Sequence, residues 1–200
     1  MQHPAFAVEG LGGGGAYVAG EQLVVGVVFD REGWVLHCSS FSKTLAPGFR
    51  VGWVSAGRFT KQVAQQKLAA SLATTVPVQA ALAQYLARGH YERHLRALRA
   101  RMRSLRDQYA ELIATTFPAG TRISRPAGGY FLWLEMPEQV DALLLGREAM
   151  AAGISLAPGP LFSASGAFAH CVRINCGHPL TDEVADAVRH VGALACRYGA

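Results

Sequence analysis

Two hundred residues, half of them apolar and 16% charged, suffice for one ordinary domain with a real core and exclude a disordered polar chain. No apolar run reaches the ~18–20 residues that span a bilayer, and no basic stretch leads into an apolar one at the amino terminus, so neither a membrane span nor a secretory signal is expected. The formal net charge of +5 keeps nucleic acid in view as a partner until the charge is located.

Residues 1–28 are the least interpretable part. Gly10 to Gly15 contains Gly-x-Gly-x-x-Gly, but no convincing strand precedes it, and Ala16-Tyr17-Val18-Ala19-Gly20 is a poor helix start. A dinucleotide site needs strand, turn and helix in that order, so a flexible glycine tract is the better reading. Leu23–Phe29 reads as a strand by its valines, Asp30–Gly33 as a turn, and Trp34–Cys38 as a second short strand.

The stretch that follows, Ser39-Ser40-Phe41-Ser42-Lys43-Thr44-Leu45-Ala46-Pro47-Gly48-Phe49-Arg50-Val51-Gly52-Trp53, carries the first chemistry. Small hydroxyls, one amine and one guanidinium lie between two strands expected to run side by side. Hydroxyls and backbone N–H groups donate to an anion and Arg50 adds a bidentate charge. Lys43 in their midst is a candidate nucleophile toward carbonyls. Two other readings stand beside that one. Lysines are mostly solvated surface charges. Ser40-Phe41-Ser42-Lys43 also fits the Ser-x-x-Lys acyl-transfer pattern, but the supporting Ser-Asp-Asn and Lys-Thr-Gly elements are missing.

Downstream, Lys61–Leu72 reads as a helix, and another starts at Thr74-Thr75-Val76-Pro77 and stops at Gly89. Tyr91–Thr116 is the longest helix candidate. Tyr91, Leu95, Leu98, Met102, Leu105, Tyr109 and Leu112 form one apolar stripe, with Arg93, Arg96, Arg99, Arg103 and Arg106 off it. Those arginines could meet a phosphate backbone, but a solvated face is the simpler account. A meander of Thr121–Ser124 and Tyr130–Glu135 follows, then a helix from about Gln139 to Ala152, a strand Ile154–Leu156 and a rigid Pro158–Phe162 turn. A closing helix from Thr181 to Cys196 starts on a Thr cap with Asp182 and Glu183 in its first turn.

The second chemical spot is the strand Cys171-Val172-Arg173-Ile174-Asn175-Cys176-Gly177. Cys171, Arg173 and Asn175 share one face, and Val172 and Ile174 the other. An arginine among β-branched neighbours needs an anion, supplied either by a ligand or by a structural salt bridge, unless it lies on an edge strand. Cys38, Cys171, Cys176 and Cys196 form no Cys-x-x-Cys pair, which favours reduced thiols in a cytoplasmic protein.

The whole string Ser-Phe-Ser-Lys-Thr-Leu-Ala-Pro-Gly-Phe-Arg-Val-Gly-Trp closely resembles the lysine segment of fold-type I, pyridoxal-phosphate-dependent aminotransferases. It looks most like the aminotransferase-like domain of MocR-type (GntR-family) regulators and the related aminoadipate-type transaminases. Pro126-Ala127-Gly128-Gly129-Tyr130-Phe131-Leu132-Trp133 is likewise typical of the family's small domain. The resemblance runs from Phe29 to the C-terminus. It implies an α/β fold: residues 29–90 the remnant of the large cofactor-binding domain, and 91–200 a linking helix and α+β small domain, with 1–28 unassigned. The chain would then be the C-terminal portion of a longer protein.

The same resemblance implies the chemistry. Lys43 would carry pyridoxal 5'-phosphate as a Schiff base and move the substrate's α-proton. Ser40, Ser42 and Arg50 would hold the phosphate, and Arg173 would clamp the substrate α-carboxylate. Substrates would be an amino acid and a 2-oxo acid, with no metal, no membrane and a homodimer. DNA would be reached only through an N-terminal domain absent from this chain. The family's Asp at the pyridine nitrogen and its Tyr at the ring hydroxyl are not placed by motif, and neither Glu9 nor Tyr17 takes their roles. The alternatives are an effector-sensing module of a regulator and a truncated remnant without activity.

Overall fold

The computed structural model describes residues 30–198. The glycine tract at 10–15 and the expected strand Leu23–Phe29 lie outside the described residues. The chain forms two compact units that part between Ala97 and Leu98.

The first unit is built on an antiparallel pair, β1 (His37–Ser40) and β2 (Gly52–Ser55), in a register that sets Ser40 opposite Gly52. β1 starts three residues later than Trp34, where the sequence pattern put it. The Asp30 carboxylate accepts the N–H groups of Trp34 (2.9 Å) and Val35 (2.7 Å), which holds this stretch in the turn rather than in a ladder. Two helices follow: α1 (Thr60–Ser71) and α2 (Val76–Ala87). Pro77 sits in α2's first turn, and Gly89 just past its end takes a φ of +68°.

Helix α3 (His90–Thr116) begins in the first unit and continues into the second. Its stripe is as expected: Tyr91, Leu95, Leu105 and Tyr109 are buried, Leu98, Met102 and Leu112 half-buried, and Ile113 joins them. Arg93, Arg96, Arg99 and Arg103 are exposed. Arg106 departs from that face. It is half-buried, and its Nη1 donates to the Pro126 carbonyl at 2.6 Å.

The second unit is a four-stranded antiparallel sheet in the order β3-β4-β6-β5, from β3 (Arg122–Ile123), β4 (Phe131–Glu135), β5 (Ala157–Pro158) and β6 (Cys171–Asn175). Period-two alternation divides its faces. Leu132, Leu134 and Val172 point into the core with Tyr109, Ile113 and Cys176, while Phe131, Trp133 and Arg173 occupy the opposite face. Helix α4 (Ala142–Ala151) starts later than Gln139, because the Asp141 carboxylate caps the N–H groups of Leu143 (2.8 Å) and Leu144 (3.0 Å). Ile154–Leu156 is not a strand. The Ile154 N–H turns back to the Ala149 carbonyl at 2.8 Å, and pairing begins only at Ala157. Pro158 is tolerated there because β5 is an edge. Helix α5 (Asp182–Tyr198) closes the unit, with Thr181 Oγ1 accepting the Val184 N–H at 3.4 Å. No helix among the described residues is long and apolar enough to cross a membrane.

Candidate functional site

The lysine segment is the connection between β1 and β2. Phe41 donates its N–H to the Val51 carbonyl (3.1 Å), closing the loop directly after Ser40 and directly before Gly52. Ser40 and Arg50 are thereby brought to the same end of the strand pair. Gly52 is required there, since a Cβ would meet the Ser39 carbonyl oxygen at 2.8 Å. Lys43 lies inside one tight turn, in which the N–H groups of Leu45 (2.8 Å) and Ala46 (3.2 Å) both reach the Phe41 carbonyl.

Two residues of α3 to which the sequence reading gave no role at this loop fasten the turn. Tyr91 donates its hydroxyl to Thr44 Oγ1 at 2.9 Å, and His94 Nε2 lies 2.6 Å from the Thr44 carbonyl oxygen. A carbonyl only accepts, so Nε2 carries the hydrogen. The Phe41 ring meets Tyr91 edge to face at 6.0 Å. Tyr91 was visible in the sequence only as the head of an apolar stripe, and its hydroxyl had no local signal.

Arg50 has φ 52° and ψ 32°, the left-handed region that non-glycine residues avoid. It is exposed, and among the described residues its Nη1 donates to the Pro47 carbonyl at 3.4 Å.

In the second unit, Arg173 stands opposite Trp133 on one side and Ala157 on the other, so β6 is an inner strand and the edge reading falls. Among the described residues no carboxylate pairs with Arg173. The acid on its face, Glu135, is engaged by Arg122, whose guanidinium holds that carboxyl below the usual range, with His170 a weaker neighbour at 3.6 Å. The Arg173 guanidinium instead lies 4.3 Å from the ring centroids of both Phe131 and Phe162, and its buried Nε has no hydrogen-bond partner.

Ser42, Lys43 and Arg50 thus belong to the β1–β2 loop of the first unit, with Ser40 the strand residue leading into it, and Arg173 belongs to the second unit. Among the described residues no His/Cys/Asp/Glu group is arranged to hold a metal ion.

The family model for aminotransferases of class I and II matches residues 12–191, nine-tenths of the chain. The chain belongs to the class I and II aminotransferases. Among curated relatives of this aminotransferase domain, "Uncharacterized HTH-type transcriptional regulator YjiR" of Escherichia coli K12 is 41% identical over 84% of the chain, and regulator YdcR of the same organism 38% over 89%. The chain spans only 36% and 38% of those relatives' lengths. The solved structure of LysN, an alpha-aminoadipate aminotransferase of Thermus thermophilus complexed with N-(5'-phosphopyridoxyl)-L-leucine, superposes with a TM-score of 0.75 at 29% identity. It covers 88% of this chain and 44% of that one. The fold is therefore the fold-type I aminotransferase fold, of which this chain represents a part.

Proposed function

We propose that this aminotransferase domain binds pyridoxal 5'-phosphate at the β1–β2 loop and transfers an amino group between an amino acid and a 2-oxo acid. The observation that carries the reading is the fastening of Lys43's turn by Thr44, Tyr91 and His94. A nucleophilic amine works best when its backbone cannot wander. The donor set fits the cofactor: an amine for its aldehyde at Lys43, and for its phosphate the Ser40 and Ser42 hydroxyls with the strained Arg50 guanidinium. Residues 29–90 then serve as the remainder of the cofactor-binding domain and 91–200 as linking helix and small domain.

Bound there, the cofactor supplies an electron sink that acidifies the C–H on the substrate's α-carbon. Lys43 Nζ, once displaced by the substrate amine, would act as the general base that takes the α-proton. Ser40, Ser42 and Arg50 anchor the phosphate, and Arg173 binds the substrate α-carboxylate and fixes which bond faces the base. The four cysteines are free and suit a cytoplasmic setting, and a homodimer is the expected assembly.

A second reading is favoured by the similarity to the HTH-type transcriptional regulators YjiR and YdcR: an effector-sensing domain serving a DNA-binding head in the full protein. The two share one first test. Titration of the purified chain with pyridoxal phosphate should raise a visible absorbance band that is absent from Lys43→Ala. Borohydride should then fix the cofactor to Lys43, as read by peptide mass spectrometry. Amino acids that then release 2-oxo acids establish the enzyme, while ligands that only shift the band favour the sensor. A folded chain with no band contradicts both.

A further inference from the structure

Phe131 and Phe162 reach Arg173 from different parts of the second unit, one from β4 and one from the short 3-10 helix Gly159–Phe162. Each ring presents its face to the guanidinium, with Arg173 Cζ 4.3 Å from either centroid. Trp133 braces this arrangement edge-on, 5.8 Å from Phe162 and 5.3 Å from Phe168. The 3-10 helix is itself fixed by a glycine. A Cβ at Gly159 would meet the Phe168 carbonyl oxygen at 2.3 Å and Cys171 Cβ at 2.9 Å.

Aromatic faces attract a cation but cannot satisfy the N–H groups along its edge. Arg173 shows that mismatch directly: Nε is buried without an acceptor, and no carboxylate of the described residues supplies one. A cation dried by rings and left short of acceptors binds an incoming anion more strongly than a hydrated one does. Its side chain also has less freedom left to lose when the anion arrives.

We propose that Phe131 and Phe162 are positioning residues for the substrate carboxylate, holding the Arg173 guanidinium dry and oriented so that its N–H groups are left for the anion. This rests on Arg173 as the carboxylate residue and goes beyond it by assigning the rings a part that plain apolar packing does not require. A leucine of similar volume would keep the space dry but offers no negative π face, so packing and ring electrostatics can be separated.

The test is arginine Nε–Hε NMR on the purified chain during titration with pyruvate, a planar monocarboxylate. The Arg173 signal is identified by its loss in Arg173→Leu. In the parent that signal should shift and saturate. Phe162→Leu and Phe131→Leu should each weaken pyruvate binding by about three- to tenfold, while Phe162→Tyr stays near the parent. Phe162 is 41% exposed, so its variants should fold, and urea midpoints matching the parent check this. Leucine variants that bind like the parent, or a tyrosine variant as weak as leucine, would overturn the role of the rings while leaving Arg173 in place. A parent with no saturable shift, or undiminished binding in Arg173→Leu, removes the carboxylate reading itself and the proposal with it.

Discussion

The Tyr91 hydroxyl donates to Thr44 Oγ1 at 2.9 Å, tying the first turn of α3 to the residue that follows Lys43. With His94 Nε2 at the Thr44 carbonyl oxygen, that bond joins the apolar stripe of α3 to the loop carrying Lys43. Tyr91→Phe removes the hydroxyl and keeps the ring, which is 5% exposed and also packs against Phe41 and Tyr85. The global cost should be about 1 kcal/mol, the usual net worth of such a bond. The local effect should be larger: faster hydrogen exchange at the Leu45 amide and a severalfold higher half-saturation for pyridoxal phosphate. Unchanged exchange in the 41–46 turn would show that Tyr91 serves packing alone.

Gly159 and Gly128 offer a matched pair in the second unit. A Cβ at Gly159 collides with backbone at 2.3 Å, whereas one at Gly128 meets nothing within 4 Å. Gly159→Ala should cost more than ~2 kcal/mol, since the 3-10 helix must move away from Phe168 or lose its pairing. Gly128→Ala should stay within about 0.5 kcal/mol. Urea unfolding of both variants checks this, and equal midpoints would mean that the Gly159 contact relaxes freely.

The helices were legible because their signals are local. The α3 stripe from Tyr91 to Leu112, the Pro77 entry to α2 and the Thr181 cap of α5 each depend on residues a few positions apart. The strand at Trp34 was misplaced because a side chain, Asp30, competes for the backbone N–H groups that a ladder would use. Arg106 was read as solvated because its acceptor, the Pro126 carbonyl, is brought near only by the folded chain. The β1–β2 loop stood out in the sequence because hydroxyls, an amine and a guanidinium crowd between two short apolar runs. Its fastening through Tyr91 and His94, and the rings around Arg173, are contacts between distant segments that no periodicity encodes.

The buried thiols give the second unit a built-in alkaline weakness. Burial pushes Cys176 up to about 12 and raises Cys171 and the Tyr109 phenol above their ordinary values. Each folded-state value lies above the unfolded one, so the fold favours the neutral form. The stabilisation is complete below about pH 9, the ordinary thiol value, and is lost as pH climbs toward 12. Urea midpoints should therefore fall steadily above about pH 9. Cys176→Ala should start about 1 kcal/mol less stable at neutral pH yet show a flatter alkaline slope. Thiol reagents provide the companion measurement: exposed Cys38 and Cys196 should react in the native chain, and buried Cys171 and Cys176 only on unfolding. Rapid native labelling of Cys176 would refute the burial argument.

Arg50 poses the choice between stability and binding most directly. A non-glycine residue in the left-handed region carries a penalty of roughly 1 kcal/mol, which Arg50 bears at φ 52°. Glycine relieves that strain but frees the unfolded chain by a similar amount. Arg50→Gly should therefore leave the urea midpoint unchanged or slightly raised. The same variant loses the bidentate guanidinium, so the half-saturation for pyridoxal phosphate should rise tenfold or more, by about 1.4 kcal/mol at least. Arg50→Lys separates the two contributions. It keeps the positive charge and the strain but not the fork, and should fall between the parent and glycine in affinity while matching the parent in stability. If Arg50→Gly binds the cofactor as the parent does, the phosphate is held elsewhere and the strain at Arg50 needs another cause. If it binds worse and unfolds no earlier, the left-handed arginine is there for the ligand and not for the fold.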